Sequence, residues 1–396
     1  MGKMVLSGGE KLVLCIGVVA LIVGAVGWGM QLTGGLIAGS GMTNVFVWGL
    51  MIAVFAFMVG FGAGAQFVCS IIYLRGRDDL KPFAHVAAAV GLACVAAAGV
   101  AILADLGAIR NILAMIVGLN LRSPLAWDMV AMTLFLVLSV VQLVAIARGS
   151  ARTRLWVLLA GAAALLLQVV EGLLFSTQSA HAWWATPIMP VDFVAVAFMS
   201  GSALLLVIAA ARKEGPGTLA WLARFCAIAI GVHLVLAVAD LAMVAIEGGP
   251  VAGGVLAALA ANAPLYATEL ALPLIAMALL LTLGKGGKPT FCVLAGLLAI
   301  AGVFAHRLML LFPAYNAPSL YLTLSGTDSV TGSFPISTGR YVDWGSAFAS
   351  TTDYAPAFAE WLAALLPVGV AAVAAVVILA AIRVIRDRTS ARSPRG

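Results

Sequence analysis

The chain has 396 residues, of which 63% are hydrophobic and 10% charged, with a mean hydropathy of +1.13 and a formal net charge of +6. A soluble domain carries roughly 25% charged residues, so this composition excludes a water-soluble protein and makes lipid the main solvent. The apolar runs are long and unbroken rather than alternating, which excludes a β-barrel and predicts an all-α, polytopic integral membrane protein.

In chain order, ten runs are long enough to span: 12–30, 45–74, 83–106, 125–147, 155–175, 191–211, 220–246, 265–283, 291–312 and 357–385. The first follows Lys3 and Lys11 and lacks a small-residue cleavage site, so it reads as a retained helix rather than a cleaved signal. In the second run GFGAGA (60–65) has dinucleotide-loop spacing, but no strand precedes it, and close helix packing is the expected use. Placing the N-terminus in the cytoplasm makes the inner segments the N-tail, 75–81, 148–154, 212–224, 284–288 and the tail after Ile382. These hold 18 of the 22 Lys and Arg. That asymmetry predicts a multi-pass membrane protein with both termini in the cytoplasm, and a bacterial or archaeal cytoplasmic membrane is the expected location. The basic charge is an orientation signal and not a nucleic-acid footprint. Eleven of the 16 acids fall on the outer side, so function is expected there.

The middle of the chain repeats. RGR at 75 and RKE at 212, Asp105 and Asp240, SPLAWD (123–128) and APLYATE (263–269), and Glu171 and Arg307 are offset by 135–140 residues. This predicts two related four-helix bundles, spans 2–5 and 6–9, flanked by spans 1 and 10. The expected divisions are 1–43, first helix and outer loop; 44–178, first bundle; 179–313, second bundle; 314–356, extracytoplasmic loop; and 357–396, last helix and basic tail. The 314–356 loop is Ser/Thr/Gly-rich with aromatic punctuation and reads as a lid or docking segment.

The chemistry narrows by elimination. Cys15, Cys69, Cys94, Cys226 and Cys292 lie in apolar runs with no CxxC spacing, so the chain holds no iron–sulfur cluster of its own. No HExxH, GxSxG or Cys/His cluster is present, and no metal site is expected. Of four histidines only His233 and His306 approach one depth, which leaves a b-type cytochrome anchor as an alternative. What remains is a polar crescent at the outer ends of spans 2–5: Asn44, Trp48, Asp105, Arg122, Trp127, Asp128 and Glu171. Aromatic rings with a few polar groups at the edge of an apolar bundle suit a quinone, whose two-electron chemistry also needs a titratable carboxylate. Intramembrane acids mark sites or relays. Glu171 and Asp105 are the expected proton-exchanging groups; Asn44, Trp48, Arg122, Trp127 and Asp128 are the expected pocket contacts. Asp240, Glu269, His233 and His85 are the thinner set available for a proton path. A secondary transporter built from repeated bundles is the rival class.

The run at 40–84, ILADLGAIRN (102–111) with NLRSPLAWD (120–128), AWWATPIMPVDFVAVAFMSG (182–201) and DYAPAFAEW (353–361) resemble the NrfD/PsrC family, in its ten-helix branch. The resemblance implies a haem-free membrane subunit that interacts with menaquinone or ubiquinone. It also implies docking to an extracytoplasmic ferredoxin-like iron–sulfur subunit, linked to a catalytic molybdopterin, hydrogenase or multihaem cytochrome subunit. Carried over by residue, Asn44, Trp48 and Asp105 fall at motif positions near the quinone pocket, and Glu171 on the helix that closes it. Members related to hydrogenase subunits often have His where Gln168 stands here.

Overall fold

The computed structural model describes residues 6–34, 39–42, 48–106, 117–179, 181–316 and 354–392. Ten of its helices are long and apolar enough to cross a membrane: Gly8–Gly34, Leu50–Leu74, Asp78–Asp105, Pro124–Ala147, Thr153–Ser176, Met189–Ala211, Pro216–Glu247, Ala263–Gly284, Pro289–Tyr315 and Phe358–Thr389, here spans 1 to 10. Each coincides with an apolar run of the sequence. No strand occurs among the described residues. A further apolar helix, Gly249–Ala261, joins spans 7 and 8 and is too short to cross. The even number of spans among the described residues puts Gly8 and Thr389 on one face, here the terminal face; the other is the opposite face.

Local chemistry sets the ends. Spans 4, 6, 7, 8 and 9, and the α-helix of span 3 that starts at Lys81, carry Pro in their first two positions, where a missing N–H costs nothing. Spans 2 and 4 end on Arg75–Gly76 and Arg148–Gly149, each glycine at positive φ. Their amides turn back on the last carbonyls: Gly76 N to Tyr73 O, and Arg77 N to Ile72 O. Span 6 closes in the same way, but the left-handed position is Lys213, at φ 57°. A side chain there costs about 1 kcal/mol relative to glycine.

Packing follows from burial. Span 2 is apolar all round and nearly fully buried, the pattern of a central helix. It packs on spans 3, 5 and 6. Spans 2–5 form a ring of neighbours, 2 on 3, 3 on 4, 4 on 5 and 5 on 2. Spans 6–9 repeat that ring, 6 on 7, 7 on 8, 8 on 9 and 9 on 6. The two rings are not separate bodies, because spans 2 and 6 interlock as closely as neighbours within a ring. GFGAGA makes this possible. A Cβ on Gly62 would meet Val95 at 2.5 Å on span 3, and one on Gly64 would meet the Ala197 carbonyl on span 6 at 1.8 Å. Spans 2 and 4 are also tied by a reciprocal amide pair, Gln66 Nε2 to Gln142 Oε1 at 2.9 Å and Gln142 Nε2 to Gln66 Oε1 at 2.6 Å. In lipid such a pair contributes about 1 kcal/mol. Spans 1 and 10 pack along each other, and span 10 rests on span 3.

Candidate functional site

At the opposite face, Trp48 stands at the entrance to span 2. Its ring lies 5.4 Å from Phe175 at the end of span 5 and 5.5 Å from Trp184 in the loop before span 6. Tyr315, at the end of span 9, fixes the Trp48 backbone: its hydroxyl donates to the Trp48 carbonyl at 2.9 Å and accepts from the Trp48 N–H at 3.0 Å. Trp183 and Trp184 donate their indole N–H groups to the carbonyls of Met309 and Leu310. His181 lies 4.3 Å from the Trp184 ring, and its Nδ1 faces the Ala314 carbonyl at 3.0 Å. Burial holds the His181 imidazole below its ordinary value. The neutral ring therefore donates from Nδ1, since a carbonyl only accepts, and keeps Nε2 as an acceptor.

Beneath this aromatic slot the polar groups begin. Glu171 lies one turn below Phe175 on the same face of span 5 and is fully buried. One of its oxygens accepts from Gln168 Nε2 at 3.0 Å; the other has no hydrogen-bond partner among the described residues. Its charged neighbours are Arg307 and Asp128. Asp128, on span 4, is also buried with an unpartnered Oδ1. Asp105 ends span 3 beside Trp48, with the Gly49 amide donating to its carboxylate and Glu360 as its charged neighbour.

Glu360 fastens this mouth. Its carboxylate accepts from the Tyr354 hydroxyl at 2.9 Å, the Gly41 N–H at 3.0 Å and the Ala357 N–H at 2.7 Å. The Tyr354 hydroxyl in turn accepts from the Leu50 N–H. Burial and the adjacent carboxylate hold the Tyr354 phenol above its ordinary value, so it remains a donor. Glu360→Ala should therefore leave three donors unmatched and loosen the entrance of span 2. The expected result is a loss of about 2–3 kcal/mol in stability and protease sensitivity near residue 41; limited proteolysis with a thermal melt measures both.

The second bundle holds a separate chain of polar groups. His233 Nδ1 meets Asp192 Oδ1 at 2.8 Å, Asp192 Oδ2 lies 3.2 Å from His306 Nε2, and His306 Nδ1 meets Glu269 Oε1 at 2.8 Å. All four residues are buried. His233, Glu269 and His306 also bring three ligand-type atoms within 4.8 Å of one another. A cavity of about 30 Å³, room for one or two waters, reaches Asp192, Glu269 and His306 past Asp240 and Tyr266. Asp240 accepts from the Thr186 hydroxyl at 2.6 Å.

Arg307 lies between the two sets. It is fully buried, and its guanidinium carbon sits 4.2 Å over the Phe193 ring. None of its three nitrogens has a hydrogen-bond partner among the described residues. Glu171, Asp192 and Glu269 all act on it electrostatically. Phe193 also touches Phe175, centroid to centroid at 5.5 Å, so an aromatic path runs from the Trp48 mouth to the buried cation.

The residues singled out from sequence divide accordingly. Trp48, Asp105, Asp128 and Glu171 converge on the first bundle's mouth and core, and Asp240, Glu269 and His233 converge in the second. Asn44 and most of the 314–356 segment lie outside the described residues. Arg122 is exposed. Trp127 is half exposed and donates to the Leu121 carbonyl at 2.9 Å; no ring contact or hydrogen bond among the described residues joins either to Trp48. His85 meets the Tyr73 hydroxyl at 3.1 Å near the terminal face and takes no part in the His233 network. Sequence reasoning did not assign Asp192, His306, Arg307, Tyr315 or Glu360 to a site. The 136-residue offset between Glu171 and Arg307 was the available signal for Arg307.

Comparison with known proteins places this geometry. A Halobacterium salinarum protein described as the membrane subunit of a dimethyl sulfoxide reductase is 32% identical over 252 residues, 56% of this chain and 58% of that protein. The alignment thus spans less than two thirds of that relative. A selenate reductase subunit of Mesobacillus selenatarsenatis is 22% identical over 349 residues, 75% of this chain and 80% of that protein. The family described as polysulphide reductase, NrfD, matches residues 39–319, which take in both bundles, and the chain belongs to that family.

Proposed function

We propose that this chain is the membrane subunit of a respiratory redox complex and that its first bundle, residues 44–178, binds a quinone, menaquinone or ubiquinone, at the opposite face. The single observation that carries the reading is the Trp48–Phe175–Trp184 slot with the buried, half-unpartnered carboxylate of Glu171 one turn beneath it. A planar ring stacks against such a slot, and a carboxylate at its floor is placed to exchange the protons of two-electron quinone chemistry. Glu171 and Asp105 carry that exchange; Trp48 and Asp128 shape the pocket, and Asn44, Arg122 and Trp127 are the further contacts proposed for it.

Electrons pass to iron–sulfur clusters on a ferredoxin-like partner docked at the opposite face and on to a catalytic subunit. That catalytic subunit is of the molybdopterin, hydrogenase or multihaem cytochrome class, and the reductase names of the two relatives support a reductase in that place. The basic loops support a cytoplasmic terminal face. The reading is haem-free, and it is supported by the His233 and His306 rings, which are 5.0 Å apart and tied to carboxylates. The Asp192–His233–His306–Glu269 chain, with Asp240 at its cavity, supports proton movement through the second bundle within the same reading. Glu171→Gln should lower quinone-coupled turnover about 100-fold while the complex still assembles. Turnover at the parental rate in an assembled complex would remove Glu171 from the mechanism.

A further inference from the structure

Two adjoining cavities of about 480 and 270 Å³ open at the terminal face. They share Glu10, Val86, Arg212, Leu379 and Arg383 and form one groove between spans 1, 3, 6 and 10. We infer that this groove binds an anionic phospholipid, with its phosphate on the basic rim and its acyl chains along the apolar wall.

The wall is supplied by Val13, Val90, Ile208 and Val376, one from each of the four helices. These are membrane-spanning segments, so the surface suits hydrocarbon rather than water. The rim is basic: Arg212, Lys213 and Arg383, joined by Arg386 and His85 in the smaller cavity. The acids facing it are few. Glu10 is already committed, one oxygen to Arg383 Nη2 at 2.9 Å and the other to the Ser7 N–H at 2.9 Å. Glu214 reaches Arg212 only at 3.6 Å. Lys213 makes no ion pair among the described residues. A net positive rim above an apolar wall matches a phosphate headgroup with its tails. A quinone or a zwitterionic lipid has no use for the excess charge.

Backbone strain points the same way. Two equivalent span ends use glycine at the left-handed position, and this one holds Lys213 there at φ 57°. Strain of that kind is retained where the side chain has work to do. Span 1 packs on span 10 and makes no comparable packing on spans 3 or 6, so a lipid in the groove would join the flanking pair to the bundles.

The test uses the full chain purified in its complex, melted with added phosphatidylglycerol, phosphatidylcholine or inorganic phosphate. Phosphatidylglycerol should raise the melting temperature saturably, and the other two should not. Arg212→Gln with Lys213→Gln should weaken its apparent affinity about thirtyfold, from the stabilisation that each cation near a membrane surface supplies. Arg148→Gln with Arg152→Gln removes the same charge from the same face outside the groove and should leave the affinity unchanged. Val13→Trp fills the groove while keeping every charge, and it should also weaken binding if the rim variant fails to insert. Equal effects of the two phospholipids, equal losses in both charge variants, or full stabilisation by inorganic phosphate would each overturn the site.

Discussion

Replacing Arg307 by methionine should give the largest electrostatic effect of any single substitution in the protein. The side chain is fully buried, and Glu171, Asp192 and Glu269 are its charged neighbours. Methionine fills much of the volume but leaves those carboxylates without their common cation in a low-dielectric interior. Removing one member of a buried charge group costs about 3–5 kcal/mol, a fall of about 5 °C in melting temperature for a chain of this size. Lysine should not restore the loss, because its point charge cannot lie flat over Phe193. Adding Glu171→Gln to Arg307→Met removes one of the stranded charges, so the double variant should be more stable than the sum of the two single losses. A double-mutant cycle of thermal melts measures this. Strict additivity would mean that the pair does not interact.

The second large effect is steric. A Cβ on Gly201 would lie 2.2 Å from the Gly64 carbonyl carbon and 2.3 Å from the Ala65 nitrogen. Both are backbone atoms of span 2, so neither can rotate aside. Gly201→Val must push spans 2 and 6 apart along the crossing that unites the two bundles. The expected result is loss of the monodisperse detergent-extracted species. Gly99→Ala is the control: nothing lies within 4 Å of its Cβ, and it should behave as the parent. Parental yield and melting temperature for Gly201→Val would refute the close crossing.

The spans were legible because charge and hydropathy are one-dimensional properties. The basic loops and apolar runs located all ten, and GFGAGA announced the tight crossing that Gly62 and Gly64 now make. Ends were less legible. Span 1 starts at Gly8 rather than 12, because Ser7 and Glu10 bond reciprocally as a helix cap ahead of the apolar run. Span 7 starts at Pro216 rather than 220 for the related reason that proline favours a first turn. The repeat was readable as matched offsets, and the contacts show the two-bundle arrangement in part. The interlocking of spans 2 and 6 depends on crossing geometry that no offset encodes.

Sites were legible by depth but not by direction. The sequence put Asp192, His233, Glu269 and His306 in the membrane, yet their convergence depends on which way each helix face turns. Glu360 shows the other limit. Its partner, the Gly41 amide, lies 319 residues earlier and has no side chain to advertise the contact.

The pairing of spans 1 and 10 carries a consequence for how the protein is made. Span 1 is the first to leave the ribosome, yet its close packing is on the last. At about 5–20 residues per second, it waits in the bilayer for tens of seconds before Leu362, Ala363 and Leu366 arrive to meet Gly24 and Gly27. Glu360 arrives with them. The mouth around Trp48 is thus completed only after span 10 has been made, so a nascent chain truncated before span 10 would hold both bundles and lack a finished entrance.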